Sequence, residues 1–230
     1  MEDIAVSDLE DRSIVLKNLM IVGAGGFGRE VLSWLPEIES YQKEWTIAGF
    51  LDDNLEALKT YNYNYPIIGK IQNYQPEEND IFVMAITSPT QRKLMIAQDL
   101  MQRGAEFISL IHPSAVFGNN NKIGKGCVIC HNTIITCDVK IGDFVTMNIM
   151  SVVGHDAFLG DGCTLYAFAN VNGFAQIGRG VEIGSHGSVL PGARVGDFAK
   201  VGAGSVVMKS VKESTTVVGV PAKKLLSYEN

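Results

Sequence analysis

The chain has 230 residues, of which 46% are hydrophobic and 19% charged, so it can bury the core of one large domain or of two small ones. A net charge of −6 argues against broad binding of nucleic acid or anionic membranes, while leaving room for one small phosphorylated ligand. No apolar run approaches the ~20 residues of a membrane span, and residues 1–17 lack the apolar core of a secretory signal. We interpret 1–17 as an N-terminal extension and expect a cytoplasmic protein.

The first half of the chain alternates strand and helix patterns. Apolar strand patterns cover residues 18–23, 45–51 and 81–86, and helical patterns cover 29–35 and 89–103. Such β-α-β alternation predicts a small parallel sheet of the Rossmann-like type over residues 18–110.

A glycine-rich turn follows the first strand pattern. Gly23, Gly25 and Gly28 have the GxGxxG spacing that lets a backbone loop approach a pyrophosphate at a helix N-terminus. Only about 95 residues precede the repeat described below, too few for a full dinucleotide fold, so a nucleotide-linked ligand is favoured over nicotinamide. A purely structural glycine turn remains the alternative. The residues expected to line the site are Gly25, Gly26, Phe27, Asp52 and Asp53.

A six-residue repeat occupies the second half. Every sixth residue from Phe117 to Val207 is large and apolar, and the residue four positions later is small or valine from Cys127 onward. Aliphatic–glycine pairs recur every 18 residues, as at Ile141-Gly142, and we expect these glycines to adopt backbone angles that other residues resist. Three six-residue faces closing one coil predict a left-handed parallel β-helix over residues 111–230, with about five coils and a length of roughly 25 Å.

The four cysteines lie inside the repeat. Cys127 and Cys163 occupy its small positions, and we interpret them as packing residues, although Cys127 and Cys130 have CxxC spacing. Reduced thiols are expected. A metal is not expected, because His131 and His155 are one coil plus one face apart and do not stack.

Several segments together resemble a known family. They are GAGGFGRE at 23–30, FLDDN at 50–54, IHPSA at 111–115, Asn148 with VGHD at 153–156, and VGVPAK at 218–223. The combination is similar to bacterial hexapeptide-repeat sugar acetyltransferases with a Rossmann-like N-terminal domain. These include sialic acid O-acetyltransferases and N-acetyltransferases of nucleotide-linked 4-amino-4,6-dideoxy sugars. The resemblance extends from Asn18 to Leu225.

The resemblance implies direct attack of a sugar amine on the thioester of acetyl-CoA, as a step in surface polysaccharide or glycan synthesis. It makes His155 the general base, with Asp156 beside it and Asn148 seven residues earlier, and it makes the N–H group of Gly173 the oxyanion donor. The repeat places His155 outside the aliphatic interior, where its imidazole can accept a proton. An ordinary surface histidine is the alternative.

The resemblance also implies a coenzyme path. It predicts the pantetheine chain beside Ser185, Gly202 and Ala203, with Lys209, Lys223 and Lys224 near the phosphates, unless these lysines are merely solvated. Thr164 stands where many relatives have a second histidine near the acetyl group, and its hydroxyl is expected to contact the acyl group there. The implied assembly is a homotrimer with sites between subunits. A sugar O-acetyltransferase and a non-catalytic nucleotide-sugar-binding scaffold are the alternative functions.

Overall fold

A computed structural model describes residues 15–225, so most of the predicted N-terminal extension lies outside the described residues. The first domain contains a five-stranded parallel sheet with the order β3-β2-β1-β4-β5. Its strands are β1 (Lys17–Val22), β2 (Trp45–Leu51), β3 (Ile67–Gly69), β4 (Asp80–Met84) and β5 (Glu106–Phe107). The helices are α1 (Gly26–Trp34) and α2 (Thr90–Gln102), with 3-10 turns at Leu35–Glu37 and Ile71–Asn73.

The predicted parallel sheet is therefore confirmed, with local differences that include two strands not predicted from the sequence, β3 and β5. Strand β3 has only three residues and carries no alternating pattern, so the sequence did not reveal it. Helix α1 begins at Gly26, three residues before the predicted start, because the glycine turn itself forms the first helical turn. No helix of the described chain is both long and apolar enough to cross a membrane.

The second domain is a three-faced parallel β-helix whose strands have two or three residues each. Face 1 contains β6 (Leu110–Ile111), β9 (Val128–Ile129), β12 (Thr146–Met147), β15 (Thr164–Leu165), β18 (Glu182–Ile183), β21 (Lys200–Val201) and β24 (Thr216–Val218), with β25 (Lys223–Lys224) antiparallel at its end. Face 2 contains β7 (Val116–Phe117), β10 (Ile134–Ile135), β13 (Val152–Val153), β16 (Asn170–Val171), β19 (Ser188–Val189) and β22 (Val206–Val207). Face 3 contains β8 (Lys122–Ile123), β11 (Lys140–Ile141), β14 (Phe158–Leu159), β17 (Gln176–Ile177), β20 (Arg194–Val195) and β23 (Ser210–Val211).

The packing of the β-helix follows the predicted repeat. The second residue of each two-residue parallel strand points inward and is buried from Ile129 to Val211, and the small positions beside it are mostly buried in the same core. The first residue of each strand points outward. Six strands stack on face 2 at ~4.8 Å spacing, so the prism is one coil longer than expected, at roughly 29 Å.

The corner glycines serve a different purpose from the expected one. Gly142, which follows an interior aliphatic residue, has no left-handed backbone angle; instead, a Cβ there would lie 2.7 Å from the backbone nitrogen of Asp161 in the next coil. The left-handed conformation occurs at the third residue after an interior aliphatic residue. Examples are Asp156 (φ 57°) after Val153, Gly162 (φ 69°) after Leu159 and Phe174 (φ 60°) after Val171. The glycines of the aliphatic–glycine pairs are therefore needed for space between coils.

Helix α2 packs on face 1 and joins the two domains. Thr90 donates its hydroxyl hydrogen to the carbonyl oxygen of Gly180 at 2.6 Å. Lys93 is wholly buried, and its ammonium group donates to the carbonyl oxygen of Cys163 at 3.2 Å and to Oγ1 of Thr164 at 3.0 Å. Because burial penalises the charged form, it lowers the pKa of Lys93 to about 8.

This buried lysine predicts a pH dependence of stability. Between pH 8 and about 10.5 the unfolded chain binds a proton at Lys93 that the folded chain has lost, so the free energy of unfolding rises with pH, by about 3 kcal/mol at most. Urea unfolding across this range should show the rise in the parent relative to Lys93→Met. The parent must be compared with the variant because burial also raises the pKa of Cys163, to about 12. That shift makes the free energy of unfolding fall with pH above pH 9, and it does so in both proteins. A parent–variant difference that stays constant with pH would contradict this prediction.

Candidate active site

A first cavity lies where the ends of β1 and β4 diverge, the usual ligand position of an open parallel sheet. Its volume is about 260 Å³, and the predicted residues Gly25, Gly26, Phe27 and Asp52 all line it. A Cβ at Gly25 or Gly26 would meet nothing within 4 Å, so a ligand can approach this backbone. At Gly28, by contrast, a Cβ would collide with the carbonyl oxygen of Gly23, so that glycine allows the helix to pack on the strand.

The two predicted aspartates have structural partners. The Asp52 carboxylate accepts hydrogen bonds from the N–H groups of Ala24 (2.8 Å) and Asn54 (2.9 Å), so it holds the glycine turn in shape. Asp53 accepts from the N–H group of Gln72 at 3.2 Å and lies 3.6 Å from the guanidinium of Arg92. The Asp52 carboxylate therefore positions the loop, and it also lines the cavity.

Sequence reasoning missed the opposite wall of this cavity. Thr87 and Ser88 line it from the segment that connects β4 to α2. Arg92 lines it from the first turn of α2, and its side chain is 61% exposed. A guanidinium beside a glycine turn is suited to a diphosphate. The available signal was topological, since loops after neighbouring parallel strands meet at the same sheet edge.

His155 lies on the corner between faces 2 and 3 of the β-helix. Its side chain is 54% exposed, as the repeat predicted, and Nδ1 lies 2.9 Å from Oδ2 of Asp156. The ring edge contacts Phe174, with 5.1 Å between the ring centres. When Nδ1 carries the proton and donates to Asp156, Nε2 has a free lone pair and can act as a base.

Gly173 lies directly beside this imidazole, on the same corner one coil further on. A Cβ at Gly173 would lie 2.7 Å from Cε1 and Nε2 of His155, so only glycine leaves room for the ring. The N–H group of Gly173 donates to no atom among residues 15–225. The basic Nε2 atom of His155 therefore lies next to the N–H group of Gly173, which has no hydrogen-bond partner within the described residues.

The other predicted residues of the transfer site lie on a different corner. Asn148, Ser185, Gly202 and Ala203 all fall between face 1 and face 2, at the opposite edge of face 2 from His155. The Oδ1 atom of Asn148 accepts from the N–H group of Ile149 at 2.7 Å. One chain therefore does not bring Asn148 and His155 together, because a strand of face 2 separates them.

Thr164 is not on either corner. It is fully buried on face 1 beneath α2, where its hydroxyl donates to the carbonyl oxygen of Thr87 at 2.9 Å and accepts from Lys93 at 3.0 Å. The structure therefore corrects the expectation that Thr164 contacts the acyl group. Its partners belong to the junction between the domains.

A second cleft, of about 620 Å³, lies at the end of the β-helix. Lys209, Lys212, Lys223 and Lys224 line it around an apolar floor that includes Val217 and Ala222. The repeat shortens here, since Val211 pairs with Val195, only 16 residues earlier. Because four cationic side chains converge on one cleft, this surface favours an anion more than scattered lysines would.

One histidine cluster lies at the start of the β-helix. Glu37, His112 and His131 have side-chain atoms within 4.8 Å of one another, and the two rings stack at 3.6 Å. Hydrogen bonds account for both nitrogens of the buried His112: Nδ1 accepts from the N–H group of Ser114 at 3.1 Å, and Nε2 lies 3.1 Å from the Glu37 carboxylate. This arrangement gives the buried His112 a structural role at the junction of the two domains.

Three of the four cysteines are packing residues of the hydrophobic core. Cys127, Cys130 and Cys163 are buried and Cys137 is exposed, and all four are free thiols. Burial raises the pKa of Cys127 to about 11, which keeps that thiol protonated and unreactive.

Comparisons with known proteins extend over both domains. Residues 18–98 match the family model described as the PglD N-terminal domain. A GDP-perosamine N-acetyltransferase of Escherichia coli O157:H7 is 30% identical over 146 residues, which are 63% of this chain and 65% of that relative. The acetyltransferase domain of PglB from Neisseria gonorrhoeae FA1090, solved with acetyl coenzyme A, superposes with a TM-score of 0.82 and 27% identity over 92% of this chain and 100% of that one. PerB from Caulobacter crescentus, solved with CoA and GDP-perosamine, superposes with a TM-score of 0.81 and 27% identity over 93% and 99%.

Proposed function

We propose that this chain is an acetyl-CoA-dependent N-acetyltransferase of a nucleotide-linked 4-amino-4,6-dideoxy sugar, in the family of hexapeptide-repeat proteins with the PglD N-terminal domain that residues 18–98 match. The observation that carries the proposal is the contact of the His155 imidazole with Gly173, whose N–H group is uncommitted within the described chain. Two of the three named relatives act on, or were solved with, perosamine linked to GDP, which supports a sugar nucleotide as the acceptor.

In the proposed reaction His155 is the general base. The Asp156 carboxylate lies at Nδ1 and fixes the tautomer that leaves Nε2 free to remove a proton from the sugar amine. As the amine attacks the thioester carbonyl, the N–H group of Gly173 stabilises the oxyanion that develops there. Collapse of this intermediate forms the amide and releases coenzyme A as a thiolate, which takes up the proton that His155 removed from the amine and so regenerates the base. Proximity in one cleft supplies the remaining rate enhancement.

The two cavities divide the binding of the substrates. The cavity at Gly25 and Gly26 would hold the nucleotide diphosphate, with Arg92 beside its phosphates. The lysine cleft would hold the phosphates of coenzyme A, with the pantetheine chain passing Ser185, Gly202 and Ala203.

The lysine cleft gives a prediction. The double variant Lys209→Gln, Lys223→Gln should raise the KM for acetyl-CoA about tenfold, since each lost charge contact contributes roughly 0.5–1 kcal/mol at a solvated surface. The KM for the nucleotide sugar should not change, and steady-state kinetics with each substrate varied would show the difference. Lys122→Gln, at the other end of the prism, is the control. Equal KM values for acetyl-CoA in parent and double variant would contradict the coenzyme path.

The proposed assembly is a homotrimer that buries face 2. Face 2 carries Val116, Ile134 and Val152 on its outer side, and the first two are 57% and 41% exposed. Face 1 is already covered by α2, and face 3 carries lysine and arginine at several of the equivalent positions. An exposed flat apolar sheet face is typical of a subunit interface. Burying it would bring the Asn148 corner of one chain to the His155 corner of the next.

The proposal is tested by thiol release from acetyl-CoA in the presence of UDP-, dTDP- and GDP-linked 4-amino sugars, with mass spectrometry of the sugar product. An N-acetylated product with one sugar supports the proposal. Release dependent on sialic acid, with an alkali-labile ester product, would instead support the O-acetyltransferase. Binding of nucleotide sugars without thiol release would support the scaffold.

A further inference from the structure

The wall of the nucleotide cavity that contains Thr87 and Ser88 is held from the other domain. Thr164 on face 1 donates its hydroxyl hydrogen to the carbonyl oxygen of Thr87 at 2.9 Å. Ser88 donates its hydroxyl hydrogen to Oε2 of Glu182, also on face 1, at 2.9 Å. Thr87 and Ser88 line the cavity, whereas Thr164 and Glu182 do not.

Both β-helix residues are themselves fixed. Thr164 is fully buried, and its hydroxyl oxygen accepts from the buried Lys93 at 3.0 Å. Glu182 is 7% exposed; its Oε2 atom also lies 3.5 Å from the hydroxyl of Tyr166, and its Oε1 atom lies 3.1 Å from the ammonium of Lys200. Buried polar groups whose bonding is mostly satisfied hold one geometry, because any alternative leaves a desolvated group without a partner.

We propose that Thr164 and Glu182 are positioning residues for the nucleotide: through Thr87 and Ser88 they hold the cavity wall in its binding geometry, so the β-helix domain completes a nucleotide site that lies in the other domain. The inference rests on the proposed function. The loop between β4 and α2 would otherwise have to be ordered when the ligand binds, and that entropy cost would weaken binding.

Thr146 provides a matched control. It occupies the same outward position as Thr164 one coil earlier, it is buried, and it also accepts a bond from Lys93, at 3.4 Å. Unlike Thr164, it makes no hydrogen bond to the loop between β4 and α2 within the described residues. Thr164→Val should weaken the binding of a nucleoside diphosphate about three- to tenfold, the effect of one hydrogen bond. Thr146→Val should leave that affinity unchanged. A purely structural role would lower the thermal midpoint of both variants without separating their affinities.

Glu182 provides an independent test with its own rescue. Glu182→Leu removes the acceptor of Ser88 and should weaken nucleoside diphosphate binding by a similar factor, while Glu182→Gln keeps an acceptor and should restore most of the affinity. Isothermal titration of the full chain with UDP, dTDP and GDP measures all four variants.

The possible outcomes distinguish a failure of the positioning role from a failure of the proposed function. If the parent binds one diphosphate and the Thr164→Val and Glu182→Leu variants bind it equally well, the positioning role is overturned while the proposed function stands. Equal weakening by Thr146→Val and Thr164→Val would also overturn it. If the parent binds none of the three diphosphates, the proposed nucleotide site fails, and this inference fails with it.

Discussion

The variant His155→Gln should lower kcat for acetyl transfer by about 10²- to 10⁴-fold while changing the KM for either substrate little. Glutamine can keep a hydrogen bond at this position but cannot accept the amine proton at neutral pH. The side chain is 54% exposed and lies outside the β-helix interior, so the fold and the free energy of unfolding should be unaffected. Steady-state kinetics with the acceptor found in the thiol-release assay, together with a thermal melt, provide the measurement.

Asp156, next to His155, can be tested with a matched control, Asp138. Asp156→Asn should reduce kcat less than His155→Gln does, by roughly tenfold, because the carboxylate orients the imidazole without itself taking the proton. Asp138 is the equivalent residue one coil earlier, with the same left-handed backbone, but it has no histidine before it. Asp138→Asn should therefore leave the rate unchanged. A His155→Gln protein with parental kcat would remove His155 as the base.

The sequence was sufficient for the architecture because the β-helix repeats one local rule. A six-residue period with an apolar residue such as Ile135 or Leu159 at a fixed phase determines which side chains are buried, and both are fully buried in the structure. The same phase correctly placed His155 on the surface. The resemblance in the glycine turn and in the other segments pointed to a family, and residues 18–98 match the PglD N-terminal domain.

The six-residue repeat does not indicate which outer face of the β-helix the first domain covers. The repeat predicts that three polar residues face outward into solvent, namely Thr146, Thr164 and Glu182. All three are instead buried beneath the first domain. Their partners, such as Lys93 and Ser88, lie more than 50 residues away in the chain, so no local pattern links them. The role expected of Thr164 was wrong for this reason.

Conversely, face 2 looks from its sequence like a covered surface, but nothing in the described part of one chain covers Ile134 or Val116. Asn148 and His155 lie at its two opposite edges, whereas the family resemblance implies that both belong to one site. Face 2, which nothing in the described chain covers, therefore separates the Asn148 corner from the His155 corner. If a second copy covers it, the apolar exposure and the separation are both explained.

The variant Val152→Arg therefore should abolish both assembly and activity. Val152 is the outward residue of β13 in the middle of face 2, so an arginine there leaves the interior of the β-helix intact but introduces an unpaired charge into the proposed interface. We expect weakening of the trimer by about a hundredfold or more, seen as a monomeric mass by light scattering, with a similar loss of kcat. Gln176→Arg adds the same charge on face 3 and should keep the parental mass.

Mixed trimers test whether the site is shared. Trimers formed only from His155→Gln chains or only from Asn148→Ala chains should be nearly inactive, but co-expression of the two should restore part of the activity. In such a mixture some interfaces pair an intact His155 corner with an intact Asn148 corner of the neighbouring chain. If both residues acted from one chain, every site would keep one defect and mixing would restore nothing. A monomeric parent that is fully active would likewise reject the shared site, because the strand of face 2 keeps these residues apart within one chain.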